Sequence, residues 1–356
     1  METPALILDI DRLRINAKRM LDHCAARGIT LRPHVKTPKS VDVAKLATGG
    51  RMSTITVSTL AEAEHFAQAG FTDILYAVGI APNKFNRAKR IGPTLTVVVD
   101  SVEMATAVAQ SDLSNPVLIE IDCGEHRGGL PTNDPELEHI AQKLGAQFAG
   151  IMSHAGQSYE TDELAVVKEI AAREVKAARL AANRLTQIGL TVGTVSIGST
   201  PTVLHGDDLD GITELRAGIY LFHDLSQAAR NICRFDDIAL TVLASVIGHN
   251  RAAGVLTLDA GALAMSKDIG AQKHLPNAGY GWLCDVETVK PLGLSIDTVH
   301  QEHGTVKVRD PAVYDQLPIG SMVRVMPVHA CLTAAGGYGR YYLTDGHIWP
   351  RIDGWD

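Results

Sequence analysis

A lysine and a closely spaced histidine–cysteine pair are the side chains whose chemistry is most informative in this sequence. Lys36 follows a short apolar run in the segment Leu31–Thr37. Most lysines are solvated, but a lysine held at the rim of a buried strand can become the amine that Schiff-base chemistry requires. His329 and Cys331 are one residue apart. On a strand, that spacing puts both side chains on one face.

Imidazole and thiolate together suit Zn²⁺, so the pair at 329 and 331 is a candidate metal site. Two ligands are few for zinc. A buried cysteine beside a structural histidine is therefore the alternative interpretation of the residues alone.

Alternating strands and helices must position Lys36. Helical patterns lie between most of the short β-branched runs, the clearest at Leu60–Ala69 and at 162–188. The eight predicted strands are Leu31–Val35, Ile55–Val57, Asp73–Ala77, Thr96–Val99, Val117–Ile121, Phe148–Met152, Thr194–Ile197 and Glu214–Ala217. Eight such units predict a (β/α)8 TIM barrel of the α/β class. An open doubly wound sheet is the alternative, but it would not need eight units, and no GxGxxG follows the first strand.

The pattern changes after about residue 235. Strands are predicted there at Ile238–Gly248, Gly254–Asp259, Gly304–Val308 and Met322–Met326, separated by glycine, proline and aspartate turns. We therefore expect a barrel at residues 11–233, followed by a mainly-β domain at residues 234–356. The N-terminal strand, within residues 1–10, is assigned to the β domain.

Polar residues cluster at the predicted carboxyl ends of the barrel strands, where barrels place their chemistry. The sixth strand is followed by His154 and Tyr159, and the fifth runs on to Arg127. The last two strands supply a candidate phosphate cradle of backbone N–H groups and hydroxyls. Its residues are Gly198, Ser199, Thr200, Arg216, Gly218, Ile219 and Tyr220. A Gly-Ser-Thr segment alone is usually only a turn, and its place after the seventh strand is what makes it informative.

Bulk properties exclude several classes of function. The formal net charge is −7 with no long basic run, which argues against a nucleic-acid surface. No apolar run approaches the roughly 18 residues that a membrane span needs, and the first residues lack the pattern of a signal peptide. Five cysteines do not form an evident disulfide framework, which predicts a reducing, cytoplasmic compartment.

The ordered motifs resemble a known family. The segment Leu31–Thr37 resembles the pyridoxal phosphate (PLP) lysine segment of fold-type III enzymes, the alanine-racemase-like barrels. More narrowly, it resembles the D-serine dehydratase and D-threonine aldolase family. Further matching segments follow in order at 56–63, 150–156, 259–261 and 327–333, so the resemblance covers nearly the whole chain.

The resemblance implies a cofactor and roles for the clustered residues. Lys36 would hold PLP as a Schiff base and act as the catalytic base. Arg127 would face the phenolic oxygen of PLP, and Arg216 would approach the pyridine nitrogen. His154 and Tyr159 would adjoin the cofactor or substrate, although a structural role for His154 is the alternative. The phosphate would be held by Gly198, Ser199, Thr200, Gly218, Ile219 and Tyr220. Enzymes of this fold resemble homodimers, so a homodimer is expected.

The His329–Cys331 spacing decides among the activities of the family. Its dehydratases resemble this pattern with zinc, whereas its aldolases resemble His-x-Asp with a harder metal. The resemblance therefore implies a PLP- and divalent-metal-dependent lyase that removes water from a 3-hydroxy amino acid of D-threo-3-hydroxyaspartate or D-serine type. The products would be a 2-oxo acid and ammonia. Zinc is the expected metal, with manganese, cobalt and magnesium as alternatives.

Three other functions remain open at this stage. The nearest is retro-aldol cleavage of D-threonine or 3-hydroxy-D-aspartate. Another is a non-catalytic PLP-carrier protein, although such carriers resemble a barrel without an added β domain, and the residues after the barrel are about enough for a further domain. The third is a metallohydrolase barrel without PLP. No nucleic-acid or membrane partner is expected.

Overall fold

The structure is a computed structural model that describes residues 1–355. Within that range it contains 19 strands and 12 α-helices. The strands are β1 Ala5–Leu8, β2 Thr30–Pro33, β3 Thr54–Val57, β4 Asp73–Gly79, β5 Leu95–Val99, β6 Val117–Asp122, β7 Leu130–Pro131, β8 Phe148–Ser153, β9 Thr194–Ile197, β10 Glu214–Ala217, β11 Leu240–Asn250, β12 Val255–Leu258, β13 Gly281–Cys284, β14 Pro291–Ser295, β15 Thr298–Val299, β16 Gly304–Lys307, β17 Met322–Pro327, β18 Arg340–Leu343 and β19 Ile348–Pro350. The helices are α1 Ile10–Ala25, α2 Val41–Ala47, α3 Leu60–Gln68, α4 Phe85–Ile91, α5 Val102–Gln110, α6 Glu136–Leu144, α7 Leu164–Gln187, α8 Thr200–His205, α9 Leu225–Ala229, α10 Ala262–Met265, α11 Val313–Gln316 and α12 Ala330–Ala334.

The chain divides into two compact units. The barrel unit comprises residues 17–218 and the last residues from Gly354. The strand-rich unit comprises residues 1–16 and 219–353. This division passes through α1 and places residues 219–233 with the strands, whereas the sequence suggests a boundary at 233/234. The sequence-based domain limits therefore remain a proposal.

The barrel unit is a parallel sheet in the order β2-β10-β9-β8-β6-β5-β4-β3. An isolated parallel bridge between His34 and Thr56 joins the two ends of this order. There the Val35 N–H donates to the Thr56 carbonyl at 2.8 Å. The sheet is thus a nearly closed eight-stranded barrel, as the sequence predicts, and not an open doubly wound sheet. β2 ends at Pro33, before the predicted Val35, because the chain turns towards Lys36 at that point.

Apolar strands surrounded by amphipathic helices explain why this sequence closes a barrel. Parallel strands are covered on both faces and therefore read as continuous apolar runs. Four adjacent strands contribute one buried cluster, formed by Leu75, Val98, Leu118 and Met152. The long helix α7 buries Val167, Ile170 and Ala171 along a single stripe. The sequence-predicted helix at 162–188 is therefore confirmed with small boundary differences.

A buried ion cluster lies at the opposite end of the barrel strands from Lys36. The Arg32 side chain is 7% exposed, and its Nε donates to Glu214 Oε1 at 2.7 Å. Its Nη1 and Nη2 each donate to an oxygen of Asp73 at 2.9 Å. This two-pronged geometry is specific to a guanidinium and a carboxylate. The cluster joins β2, β10 and β4 inside the barrel.

Replacing Arg32 by methionine should destabilise the protein by about 3–5 kcal/mol, because the buried Glu214 loses its ionic partner. Urea unfolding followed by circular dichroism measures the change. The double variant Arg32→Met with Glu214→Gln is the matched control, and it should recover part of the loss. If both variants unfold at the same urea concentration as the native protein, the ion cluster does not stabilise the barrel.

The strand-rich unit holds a ten-stranded sheet whose main path is β14-β13-β17-β11-β1-β18-β19. β1 pairs antiparallel with β11 and parallel with β18, so the N-terminal strand lies in this sheet as expected. The four predicted strands appear as β11, β12, β16 and β17. Strands β13, β14, β18 and β19 were not predicted, because turns and aspartates interrupt those short segments. The described helices between residues 235 and 353 have five residues or fewer.

No helix among residues 1–355 combines the length and the apolar character that crossing a membrane requires.

Candidate active site

Lys36 lies at the carboxyl-terminal rim of the barrel, three residues after the end of β2. Its side chain is exposed, while the neighbouring Val35 and Thr37 are buried. The Lys36 backbone N–H donates to His34 Nδ1 at 3.4 Å. His34 Nε2 in turn lies 3.4 Å from the Ser58 hydroxyl. The segment is thus anchored on both sides of an accessible amine.

Two imidazoles at this rim are kept neutral by burial and by neighbouring cations. Burial, Lys36 and Arg216 hold the pKa of His34 well below its usual value. Burial lowers the pKa of His154 to about 3, although its bond to Gly198 opposes that shift, and the charges of Arg216 and Lys36 lower it further. The positive charges of Lys36 and Arg216 are not balanced by these neutral histidines. Such an environment favours the binding of an anionic ligand.

Arg216 is fixed in the barrel interior. Its Nη1 donates to the Ser196 hydroxyl at 2.6 Å, and its Nη2 donates to the Ser153 carbonyl at 2.5 Å. Burial lowers the pKa of this guanidinium, while the carboxylates of Glu214 and Glu174 act in the opposite direction. The side chain therefore has little freedom to move. Its predicted approach to the pyridine nitrogen stays a prediction.

The turn after β9 is the candidate phosphate site. The Ser199 hydroxyl lies 2.7 Å from the Ser158 hydroxyl and also caps α8. The Thr200 N–H donates to the Tyr159 hydroxyl at 3.0 Å. The structure thus brings together four of the predicted residues, namely Gly198, Ser199, Thr200 and Tyr159.

The other predicted phosphate residues are divided between the units. Gly218 ends the barrel unit, and a Cβ on it would lie 2.9 Å from the His34 carbonyl oxygen. This close packing explains a glycine at that position. Ile219 and Tyr220 are buried and belong to the strand-rich unit.

Arg127 lies on the loop after β6, with more than half of its side chain exposed. It pairs with Glu125 at 3.3 Å. Its charge also lowers the pKa of His154. The loop therefore holds Arg127 near the rim histidine, while its predicted contact with a phenolic oxygen stays a prediction.

His329 and Cys331 do not lie on a strand, so the strand prediction for this pair is wrong. β17 ends at Pro327, and His329 is the N-cap of α12, whose second residue is Cys331. The two side chains still meet, because a hydrogen bond between imidazole and thiol contributes to the pKa of His329. His329 makes no side-chain capping bond to α12, so its ring is left to bond Asp268 and Cys331.

Asp268 supports the histidine from behind. Its Oδ2 lies 2.5 Å from His329 Nδ1, which must donate to a carboxylate. Burial opposes protonation of His329, but the bonds to Asp268 and Cys331 raise its pKa to about 11. Buried Asp224 accepts the Ala330 N–H at 2.9 Å and fixes the start of α12.

The donor set at 329 and 331 fits a divalent metal in a specific way. With Nδ1 committed to Asp268, Nε2 is the ring nitrogen of His329 that remains for a metal, and metal-ligating histidines commonly have a carboxylate behind them in this way. Cys331 adds a soft thiolate suited to zinc. Among the described residues, no group of three histidine, cysteine or acidic side chains is arranged to hold a metal. The chain therefore offers two ligands and leaves further positions for water or substrate.

The turn at 198–200 fits a phosphate group. The Thr200 hydroxyl oxygen is buried and has no hydrogen-bond partner within the described residues. A buried hydroxyl without a partner costs free energy unless a ligand satisfies it. It lies in the same turn as Gly198, whose carbonyl is bonded by the neutral His154, so the residues present fit the phosphate end of PLP.

Two family models match this chain, one over most of the barrel unit and one over most of the strand-rich unit. Residues 8–226 match the family described as "Alanine racemase, N-terminal domain", and residues 239–344 match the family described as "Putative serine dehydratase domain". The chain belongs to the D-serine dehydratase and D-threonine aldolase family of fold-type III enzymes. The expected family, and its alanine-racemase-like barrel followed by a strand-rich part, are confirmed.

Two curated relatives of this family extend over nearly all of the chain. D-threo-3-hydroxyaspartate dehydratase of Delftia sp. (strain HT23) is 41% identical, and the match covers 100% of this chain and 98% of the relative. D-serine dehydratase of Dictyostelium discoideum is 31% identical, and the match covers 94% of this chain and 91% of the relative. The predicted class, a dehydratase-type lyase, is confirmed. The carrier and the PLP-free hydrolase receive no support.

A solved structure of this family also concerns the metal. A cysteine-to-alanine variant of D-threo-3-hydroxyaspartate dehydratase, described as the metal-free form, superimposes with a TM-score of 0.95 at 40% identity, covering 100% of this chain and 98% of that one. The description implies that this relative binds a metal. Which metal the present chain binds is a matter for the proposed function.

Three further residues, which the sequence did not single out, contact predicted site residues within their own units. Asp268 lies in a turn-rich segment, and nothing in its neighbours signals a partner for His329. Glu174 bonds the Gly198 N–H at 2.9 Å. The signal for Glu174 was an acidic residue on the buried stripe of α7. His34 was visible at a strand end but carried no assigned role.

Replacing Asp268 by asparagine should weaken metal binding by about 10–100-fold, the usual cost of losing a carboxylate behind a ligating histidine. Competition with a chromophoric zinc chelator measures the affinity. Asp345→Asn is the control, since Asp345 pairs with the exposed His347 in the same unit. Equal affinities for Asp268→Asn and the native protein would mean that Asp268 does not orient His329.

Proposed function

We propose that this chain is a PLP- and divalent-metal-dependent dehydratase that converts D-threo-3-hydroxyaspartate into a 2-oxo acid and ammonia. The observation that carries the proposal is the contact between His329 and Cys331, backed by Asp268. An imidazole and a thiolate favour zinc over the harder metals, and the family's dehydratases resemble this pairing. The 41% identity to the Delftia dehydratase supports the choice of substrate.

We assign proton transfer at Cα to Lys36. Its amine is accessible at the barrel rim, and the buried neighbours Val35 and Thr37 limit where that amine can reach. When bound, PLP supplies the electron sink for the developing Cα carbanion. Lys36 would hold that cofactor and, once the substrate amine has replaced it, would take the Cα proton on Nζ.

The remaining barrel residues would bind and orient. Arg216, held by Ser196 and the Ser153 carbonyl, would face the ring nitrogen as a fixed cation. His154 would donate through Nδ1 to the protein and keep Nε2 as an acceptor. The phosphate would be held by Gly198, Ser199, Thr200, Gly218, Ile219 and Tyr220, with Tyr159 behind the turn. Arg127 would face the phenolic oxygen.

The metal proposed for His329 and Cys331 is zinc. Bound there, it would act as a Lewis acid on the β-hydroxyl that leaves as water. The enamine released from the enzyme then takes up water to give the 2-oxo acid and ammonia. Manganese, cobalt and magnesium are the alternatives that metal analysis would reveal.

A substrate panel tests the proposed function. The D- and L-isomers of serine, threonine and 3-hydroxyaspartate are incubated with the protein, with and without a chelator, and ammonia, 2-oxo acids and aldehydes are measured. We expect ammonia and a 2-oxo acid in equal amounts, with D-threo-3-hydroxyaspartate turned over fastest and the chelator suppressing the reaction. Release of glyoxylate or another aldehyde without ammonia would instead establish retro-aldol cleavage and overturn the proposal.

Two further proposals concern the protein's state. A homodimer is proposed from the family resemblance, and light scattering of the purified protein tests it. A reducing, cytoplasmic compartment is proposed because all five cysteines are free of disulfides.

A further inference from the structure

The backbone of Gly198 is held from two sides by titratable side chains. Its N–H donates to Glu174 Oε1 at 2.9 Å, and its carbonyl accepts from His154 Nδ1 at 2.8 Å. Gly198 has φ +132°, and a Cβ there would collide with the Arg216 backbone. Only glycine fits this conformation, and the two hydrogen bonds add to this close packing in fixing the backbone where the Ser199–Thr200 turn begins.

Glu174 is an unusual residue for its position. It lies in the middle of α7, is 0% exposed, and shares the buried stripe with Ile170, Ala171 and Ala178. Glutamate is almost never buried completely unless it is paired. A residue that only filled this space would be apolar, so the carboxyl is there for its hydrogen bonds.

The charges that face Glu174 come from several elements. Arg216 faces it from β10, the thiol of Cys123 from the end of β6, and the Thr202 hydroxyl from α8. Burial raises the pKa of the Glu174 carboxyl to about 6, although bonds from Thr202 and Gly198 and the charge of Arg216 act against that rise. The Glu174 carboxyl therefore changes its charge within the pH range in which an enzyme can be assayed.

We propose that Glu174 is a positioning residue for the phosphate of the cofactor, holding the Gly198 backbone so that the Ser199–Thr200 turn presents the Thr200 hydroxyl to an anion. The inference rests on the proposed function, because it assumes that PLP occupies this turn. The partnerless Thr200 hydroxyl lies two residues from the clamped peptide.

The hydrogen bond and the charge of Glu174 act on the phosphate in opposite directions. The accepted N–H orients the turn and favours phosphate binding at any pH. The ionised carboxylate adds one negative charge behind the turn, which opposes a phosphate dianion. The Glu174 carboxyl becomes ionised as the pH rises through about 6. Its repulsion of the phosphate should therefore be absent at pH 5 and complete at pH 8.

Two variants separate these contributions. Glu174→Gln keeps an oxygen that accepts the Gly198 N–H but removes the charge, whereas Glu174→Met fills the space and removes both. Affinities of the apoprotein for PLP, and for pyridoxal as the phosphate-free probe, are measured by fluorescence quenching between pH 5 and pH 8.5. Glu138→Gln is the control, because Glu138 of α6 forms an ion pair with Arg184 of α7. Thermal melting verifies that each variant is folded.

We expect Glu174→Met to weaken PLP binding at least about fivefold at every pH, since a buried N–H loses its acceptor. Pyridoxal affinity should change much less. Glu174→Gln should match the native affinity at pH 5 and exceed it at pH 8, by roughly threefold to tenfold for one screened charge.

Equal loss of PLP and pyridoxal affinity in Glu174→Met would overturn the inference and leave Glu174 as a merely structural residue. So would a Glu174→Gln profile parallel to that of the native protein across the pH range. If Glu174→Met does not fold, the Glu174→Gln profile alone decides. Native apoprotein that binds no PLP would be a failure of the proposed function, which the same titration distinguishes.

Discussion

Replacing Lys36 by alanine is expected to abolish covalent PLP attachment and to lower kcat by roughly a thousandfold or more, because the change removes both the cofactor's anchor and the general base. Lys36 is the exposed amine of a segment that is otherwise tied down at Val35 and His34.

Absorbance near the visible edge and ammonia release together measure the effect of this variant. Lys45→Ala, an exposed lysine in α2, is the matched control and should keep the native spectrum and rate. Added methylamine or another small amine should restore part of the proton transfer in Lys36→Ala. A variant that retained covalent PLP would place the cofactor elsewhere and remove the basis of the site.

Replacing His329 or Cys331 by alanine is expected to have the second-largest effect. Each variant removes one of the two proposed protein ligands, so metal affinity should fall by more than about 100-fold, the upper cost of losing only a supporting partner. Loss of Lewis acidity at the leaving hydroxyl is worth several kcal/mol, which corresponds to at least roughly a hundredfold in kcat. PLP absorbance should be unchanged, because Lys36 and the 198–200 turn are intact.

Metal content by elemental analysis and dehydratase rate measure this second prediction. His347→Ala and Cys233→Ala remove the same side-chain types elsewhere in the strand-rich unit and serve as controls. Zinc added back after chelation should restore the native protein but neither ligand variant. Full activity of metal-free His329→Ala would show that the hydroxyl leaves without a metal and would favour a PLP-only lyase.

The barrel could be predicted from sequence because each strand reads as a short β-branched run with a helix after it. The runs at Thr194–Ile197 and Glu214–Ala217 coincide with β9 and β10 residue for residue. The second unit was harder, because short strands such as β13 and β14 are recognisable only through their partners. Its alternation is broken by turns and by a shift in register.

The candidate site shows the same limit. The spacing of His329 and Cys331 predicted two side chains that meet, and they do, but at the start of a helix and not on a strand. Spacing of two residues brings side chains together in both settings, so the pattern alone could not distinguish them. Asp268 and Glu174 act through the fold, since each reaches its partner across a long stretch of chain. No local pattern indicates Asp268, and the only sign of Glu174 is an acidic residue on the apolar stripe of α7.

Reduction of the native protein with borohydride followed by peptide mapping tests the central claim most directly. The reagent makes the lysine–cofactor linkage permanent, and mass spectrometry then locates the pyridoxyl group. The account predicts the modification on Lys36, in the peptide that contains His34 and Thr37, and its loss when the substrate is added before reduction. A pyridoxyl group on another lysine, or none in protein saturated with PLP, would contradict the account.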